Sequence, residues 1–255
     1  VCVAFDEPGP TFRDALYEQY KATRHKAPQS LYDQFPLIKH LLDACAIPHI
    51  GCAGYEAYDI IGTLSYTSQT MPTGRQVSNH AYRQAGLKSQ NNGIKIIIVT
   101  GDNDAFQLIS DTVYVMTPSN GSLKDPQLVD VHGVVKKYGF TPEYMVDYKA
   151  LRGDASDNIP GVPGIGEKTA TTLIQTYGHL DTIYAHCDEI AQAISAKLML
   201  GKQSAELSLA LATIATDAPV TIDFESATLK DFDRSRVVGE FEKLGFTSLI
   251  KRLPV

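Results

Sequence analysis

Residues 151–170 read LRGDASDNIPGVPGIGEKTA. Asp154 and Asp157 stand three apart, and five of the seven residues from Pro160 to Gly166 are Gly or Pro. Glycine admits backbone conformations and close approaches that a Cβ blocks, and the free N–H groups opening a helix attract anions. The stretch therefore predicts a tight hairpin on Gly164 and Gly166 and a helix beginning near Glu167. A phosphate-sized anion fits at that helix start, with Lys168 and Thr169 in its first turn. A plain Gly/Pro turn between two helices accounts for the same glycines, but it leaves the acidic pair just before them unexplained.

On the N-terminal side strands and helices alternate. VCVAF, IPHIGC, IKIIIVT and TVYVMT are apolar runs of strand length. Between them, YEAYDIIGTLS and DAFQLIS read as helices, and SLYDQFPLIKHLLDACAI puts Leu31, Phe35, Ile38, Leu42 and Cys45 on one helical face. That order predicts an α/β fold with a mainly parallel sheet over residues 1–150. Beyond 150 the strand signals fade. EKTATTLIQTYG, LDTIYAHC, DEIAQAISAKLMLGKQSAELSLALATI and SRVVGEFEKLGF are helical patterns, so a second, helical domain is expected over 151–255. Residues 65–93 are polar and without clear period, which predicts a long loop or partly disordered insertion. The opening VCVAFDEPGP reads as a strand already under way, with neither initiator Met nor signal peptide, so a preceding segment is expected.

Composition narrows the class. Across 255 residues, 44% hydrophobic and 20% charged content describes a globular protein. No apolar run approaches the roughly 18 residues of a membrane span, so no membrane partner is expected. Cys2, Cys45, Cys52 and Cys187 have no CxxC spacing and no clustered His, which points to buried thiols in a reducing cytoplasm rather than zinc or disulfides. The net charge of −6 argues against nucleic acid at first sight. The basic residues are unevenly placed, however: Arg13, Lys21, Arg24, His25 and Lys26 form one local patch.

The acids gather as well. Asp6 closes the first strand, Glu56 and Asp59 open a helix after the second, Asp102 and Asp104 follow IIIVTG, and Asp154 and Asp157 precede the glycines. Strand carboxyl ends in a parallel sheet share one edge, so these acids face one crevice. Two carboxylates about 4 Å apart repel by roughly 4 kcal/mol at an effective dielectric near 20, so the set needs cations. Without His or Cys, hard Mg²⁺ or Mn²⁺ fits best. Taken singly, each Asp can equally be an N-cap for the helix that follows.

In FDEPGPTFRDALYEQYKATR, GYEAYDIIGTL, VTGDNDAFQLIS and LRGDASDNIPGVPGIGEKTA, and over nearly its whole length, the chain resembles the 5′-nuclease (5′-3′ exonuclease) domain of bacterial DNA polymerase I and the flap endonuclease superfamily. The resemblance implies a PIN-like nuclease core followed by a helix-hairpin-helix domain of helix-three-turn-helix type. It implies hydrolysis of 5′ flaps or 5′ ends of nicked or branched duplex DNA with two divalent ions, and a K⁺ ion at the hairpin. A polymerase domain following in the same chain and a cytoplasmic, nucleoid location go with it. Position by position, Asp6, Glu56, Asp102, Asp104, Asp154 and Asp157 match metal-site acids, with Asp59 a less direct member. Arg13, Tyr20, Lys21 and Arg24 match residues that hold the scissile phosphate and the 5′ strand.

The chain also departs from the family pattern. EAYD stands where the family reads E-A-D-D, so Tyr58 occupies a carboxylate's position, and a phenol with a pKa of about 10 is a poor Mg²⁺ ligand. The family's opening strand, ending in Asp-Gly, has no counterpart here, and residues 65–93 lengthen the connection from Asp59 to Asp102. Two other functions fit parts of the pattern. One is a catalytically weakened DNA-junction binding module. The other is a Mg²⁺-dependent phosphatase, which needs neither the hairpin nor the basic patch.

Overall fold

The computed structural model describes residues 1–70, 94–119, 122–223, 225–229 and 232–253. Strand β1 (Val3–Phe5) pairs in parallel with β2 (His49–Gly51). Strand β3 (Ile96–Val99) pairs in parallel with β4 (Val113–Ser119), and β4 pairs antiparallel with β5 (Ser122–Val129). The described strands thus form two sheets, β1-β2 and β3-β4-β5, each with a parallel pair, in an α/β fold. Strand β5 was not expected; Ser119 pairs with Ser122, and the sequence between them, Asn120-Gly121, is a strong hairpin signal.

Two expected helices differ from their sequence pattern. The run from Ser30 to Ile47 is broken into α2 (Gln29–Tyr32) and α3 (Phe35–Ala44), because Pro36 has no N–H to continue a helix and sits in the first turn of the second one. Leu31, Phe35 and Ile38 of the expected buried face are exposed, at 46%, 40% and 45%. Of that face Cys45 does pack inward, together with Leu41 and Ala44, against Val237 and Phe241 of α11 (Arg234–Lys243). The expected loop at 65–93 is helical in its first part: α4 runs Ala57–Thr70, and the remainder, 71–93, lies outside the described residues. Thr63, Ser65 and Ser68 of α4 are buried, and the hydroxyls of Thr63 and Ser68 are hydrogen-bonded within the fold. Ser68 Oγ donates to Leu64 O at 2.6 Å, and Thr63 Oγ1 accepts from Ala218 N at 3.0 Å. A buried helix face made of small polar residues shows no hydrophobic period, which is why the pattern looked loop-like.

After α5 (Val131–Tyr138) the chain is helical. Helix α6 (Met145–Arg152) is buried on nearly every side, and α7 (Glu167–Tyr177), α8 (Leu180–Ala185), α9 (Gln192–Leu200) and α10 (Lys202–Ala212) follow. The pattern read as one long run, 188–214, is divided at Gly201. Its Cβ position lies 2.8 Å from Val162 Cγ1, so the turn packs directly on the glycine loop. The main core joins Ile98, Val113 and Val115 of the strands with Tyr148 and Leu151 of α6 and Leu173 and Leu198 of the later helices. One apolar core therefore crosses residue 150.

Candidate active site

The loop between α6 and α7 presents both halves of its sequence at once. Asp154 N donates to Ile159 O (2.9 Å), Ile159 N to Asp154 O (2.8 Å), and Val162 N to Leu151 O (2.8 Å), which closes the acidic pair into a small loop against the end of α6. Gly153 (φ 78°) and Gly161 (φ 63°) make the closure possible. A Cβ on Gly161 would stand 2.3 Å from Gly153 N, a clash with backbone that cannot relax.

Five acids expected at one edge do line one cavity of about 110 Å³: Asp6, Glu56, Asp102, Asp104 and Asp157. Tyr58 forms part of its wall, with Lys21 and Arg24 beside the acids. Each acid is already engaged. Asp6 Oδ1 accepts from Ala57 N (2.7 Å) at the start of α4, and Asp102 caps the 3₁₀ turn Asn103–Leu108 by accepting from Asp104 N (3.0 Å). Lys21 Nζ lies 2.5 Å from Glu56 Oε1, and Arg24 Nη2 lies 2.5 Å from Asp157 Oδ1. The Tyr20 hydroxyl donates to Glu56 (3.3 Å) and Asp157 (3.4 Å); burial, then the two carboxylates, push its pKa up. Asp154 joins through Lys149, whose ammonium bonds both Asp104 and Asp154 Oδ2, the latter at 2.9 Å. Burial works against the charge on Lys149, yet the two carboxylates outweigh it and hold its pKa above the ordinary value. Burial likewise opposes the charge on Asp154, and the Ser156 hydroxyl and Lys149 overcome it and hold that carboxyl low.

Two expected site residues are tied into the fold: Arg13 lines the same cavity, and Asp59 is outside that lining. Asp59 is fully buried and its oxygens are taken: Arg13 Nη1 and Nη2 donate at 2.7 and 2.8 Å, and Glu56 N and Ala215 N at 2.9 and 2.8 Å. Arg13 is itself buried and also donates to Leu211 O (2.8 Å) and Thr213 O (2.7 Å). The pair fastens the segment after α10 to α4: as the side chains stand, four donors hold the Asp59 oxygens and the Arg13 guanidinium is engaged by the fold. The basic patch keeps Lys21, 26% exposed, and Arg24, 51% exposed.

Tyr58 lies where the sequence put it. Its ring packs against the main core and its hydroxyl is 2.5 Å from Thr100 Oγ1, so it closes the inner wall of the cavity. Burial pushes the phenol pKa up, which makes a phenolate ligand still harder to form.

At the hairpin, Gly164 uses the left-handed region (φ 81°) while Gly166 does not (φ −95°). Gly166 caps α7 without a side-chain acceptor, and a Cβ placed on it meets nothing within 4 Å. Lys168 is exposed and Thr169 half-buried in the first turn. The α7 N-terminus is thus bare and open to an anion.

The donor set tests the metal expectation directly. It is all carboxylate, which suits a hard divalent ion, and it shares one cavity. Among the described residues no three acidic groups converge on one point as the side chains stand, because Lys149, Lys21 and Arg24 occupy the places between them. Lys149 escaped the sequence reading. Its signal was a lysine four residues after buried Met145, within a helix whose neighbouring positions are apolar.

Two family models match this chain: "5'-3' exonuclease, N-terminal resolvase-like domain" over residues 1–78 and "5'-3' exonuclease, C-terminal SAM fold" over residues 140–235. The chain belongs to the 5′-3′ exonuclease family. It is 40% identical over 254 residues to DNA polymerase I of Caldicellulosiruptor bescii, covering 99% of this chain and 27% of that one. Against DNA polymerase I of Bacillus subtilis it is 36% identical over 252 residues, 98% of this chain and 26% of the relative. The chain thus spans about a quarter of the length of the curated relatives it matches. In fold it is similar to the bacteriophage T5 D15 flap endonuclease solved with DNA and metal ions, at TM-score 0.63 and 20% identity over 94% of this chain and 82% of that one. It is also similar to the catalytic core of Rad2 with DNA substrate, at TM-score 0.54 and 16% identity over 95% and 73%. Among the described residues no helix is long and apolar enough to cross a membrane.

Proposed function

We propose that this exonuclease-family chain is a divalent-metal-dependent 5′ nuclease that hydrolyses phosphodiesters at 5′ flaps or 5′ ends of nicked or branched duplex DNA. Residues 1–150 form the nuclease core in this reading, residues 151–255 hold the duplex, and a polymerase domain belongs to the same polypeptide, as the relatives' length and name suggest. The observation that carries it is one cavity lined by five carboxylates and three basic side chains, joined through Asp157 to the loop that also carries the bare α7 N-terminus.

Asp6, Glu56, Asp102, Asp104, Asp154 and Asp157 are the residues that hold divalent ions, with Mg²⁺ or Mn²⁺ favoured by the oxygen-only donors. Such ions supply an acidified water and charge stabilisation at the phosphate. Lys21 and Arg24, at the cavity rim, are placed to orient the scissile phosphate and to stabilise its developing charge. The N–H groups of Gly166, Lys168 and Thr169 grip a phosphate of the duplex further along, irrespective of sequence. K⁺ at the hairpin carbonyls belongs to the same reading, although Lys197 Nζ already donates to Gly164 O at 3.1 Å and Ser204 Oγ to Gly161 O at 2.6 Å.

A labelled 5′-flap duplex tests this. Cleavage is expected in Mg²⁺ or Mn²⁺, abolished by chelation, and slowed about a hundredfold or more by Asp104→Ala or Asp154→Ala, with affinity measured in Ca²⁺ little changed. Equal cleavage by both variants overturns the assignment. A second reading is favoured by Tyr58 in the cavity wall: a DNA-junction binding module with weakened chemistry, which would bind the flap and leave it uncut.

A further inference from the structure

We propose that the Lys149 ammonium is a built-in counter-ion of the acidic cavity, which positions Asp104 and Asp154 and competes with divalent metal for them. The inference rests on the nuclease reading above and deepens it. Lys149 sits on α6 with its side chain 8% exposed, and its Nζ bonds carboxylates from two separate segments, one after β3 and one after α6. A buried ammonium is costly unless it is both paired and hydrogen-bonded, and these two acids meet that demand. The same oxygens are hard donors for a divalent ion. An ammonium and a divalent ion repel, so both cannot sit between one pair of carboxylates. Metal entry therefore requires Nζ to leave, and the strength of the Lys149 contacts subtracts from metal affinity.

Two other cations paired with the site's acids differ in their freedom. Lys21 and Arg24 have partly exposed side chains that can swing toward solvent, at 26% and 51%. Lys149 is held by a helix whose Tyr148, Ala150 and Leu151 belong to the main core. Its stem has little room to move, so its competition is the strongest of the three. The consequence is a threshold: without metal the acids stay compensated and ordered, and metal loads only at a concentration that displaces the ammonium. Lys149 acts through Asp104 and Asp154, as a positioning residue.

The test is Mn²⁺ binding to the full chain by calorimetry, with the melting temperature followed in chelator and in Mn²⁺. Lys149→Met keeps the stem and removes the charge. It is expected to lower the melting temperature in chelator, to tighten Mn²⁺ binding by about tenfold or more, and to gain more from Mn²⁺ than the unmutated chain does. Lys149→Arg keeps the charge and is expected to stay within about twofold of the unmutated affinity. Lys137→Met controls for loss of charge in general, since Lys137 Nζ donates to Asn103 Oδ1 (3.1 Å) and to neither acid. Should Lys149→Met not fold, Lys149→Met with Asp154→Asn is compared with Asp154→Asn alone, and the double variant is expected to bind the more tightly. Unchanged or weaker Mn²⁺ binding in Lys149→Met, or equal tightening in Lys137→Met, overturns the inference and leaves the nuclease reading standing. No saturable Mn²⁺ binding by the unmutated chain overturns both.

Discussion

Replacing Arg13 by Ala separates a structural role from a DNA-contacting one more cleanly than any other single change. The guanidinium is 3% exposed and makes four hydrogen bonds, two to Asp59 and one each to Leu211 O and Thr213 O. Its removal leaves a fully buried carboxylate with only the Glu56 and Ala215 N–H groups, and deprives two carbonyls of a charged donor. Breaking a buried pair costs about 3–5 kcal/mol, and each lost charged hydrogen bond adds about 1.5–3 kcal/mol before relaxation. The two remaining N–H donors and water entering the vacated space recover part of that. We therefore expect a loss of about 3–4 kcal/mol, a large share of the roughly 5–15 kcal/mol of an ordinary domain. The assay is urea unfolding followed by circular dichroism, in which the midpoint should fall by about 1 M or more at unchanged slope. A cycle with Asp59→Asn should return a coupling of at least about 1 kcal/mol. A midpoint that stays in place while duplex affinity drops would refute the reasoning, because Arg13 would then be working on DNA.

Gly166→Ala should change stability by no more than about 1 kcal/mol, since its Cβ meets open space at an ordinary φ, and yet weaken duplex binding if backbone approaches phosphate there. Gly164→Ala should cost about 1–2 kcal/mol through its φ of 81°, and urea unfolding beside filter binding tells the two effects apart. Lys168→Ala should reduce the slope of log affinity against log salt by about 0.9 if it neutralises one phosphate, and an unchanged slope places it off the DNA. Tyr58→Asp should raise flap cleavage in Mg²⁺ by about tenfold or more with little change in affinity in Ca²⁺, while lowering the melting temperature through lost ring packing. Equal cleavage rates with Tyr and Asp at position 58 would mean the wall residue has no bearing on metal.

The parts of the fold that could be read in advance are those where chain geometry translates directly into residue type. The hairpin was legible in part: left-handed Gly164 calls for glycine as the sequence suggested, whereas Gly166 has an ordinary φ and open space at its Cβ, and the Gly153–Gly161 contact was not foreseen. The shared edge of Asp6, Glu56, Asp102, Asp104 and Asp157 was legible because parallel strands carry their ends to one side. What stayed hidden depended on tertiary partners. Leu31, Phe35 and Ile38 have the spacing of a buried face, but α11 covers only the Cys45 end of that face, with the neighbouring Leu41 and Ala44. The inward face of α4 is Thr63, Ser65 and Ser68, with the hydroxyls of Thr63 and Ser68 bonded within the fold, and hydrophobic period does not register such a face. Arg13 and Asp59 are 46 positions apart, and nothing in either neighbourhood announces that they bury each other.

The distribution of charge explains how this acidic chain keeps its site in order. The need for cations was inferred from the crowding of carboxylates, and the cations present are the protein's own. Lys21 on Glu56, Arg24 on Asp157 and Lys149 on Asp104 and Asp154 set three positive groups against four acids, and Tyr20 donates to two of those acids as well. Asp6 and Asp102 are the two cavity acids without a cationic partner in that set; each is exposed and accepts a backbone N–H at a helix or turn start. The cavity therefore has an uncompensated side and a compensated side. Divalent ions meet no competing ammonium at Asp6 and Asp102, and have to displace one at Glu56, Asp104, Asp154 and Asp157. Tyr58 stands on the uncompensated side, bonded to Thr100 two residues from Asp102, where a carboxylate would have added charge with no counter-ion nearby. On this reasoning the phenol leaves less negative potential beside Asp6 and Asp102 than a carboxylate would, so Tyr58→Asp should strengthen divalent binding on that side, while Lys149 sets the threshold on the other.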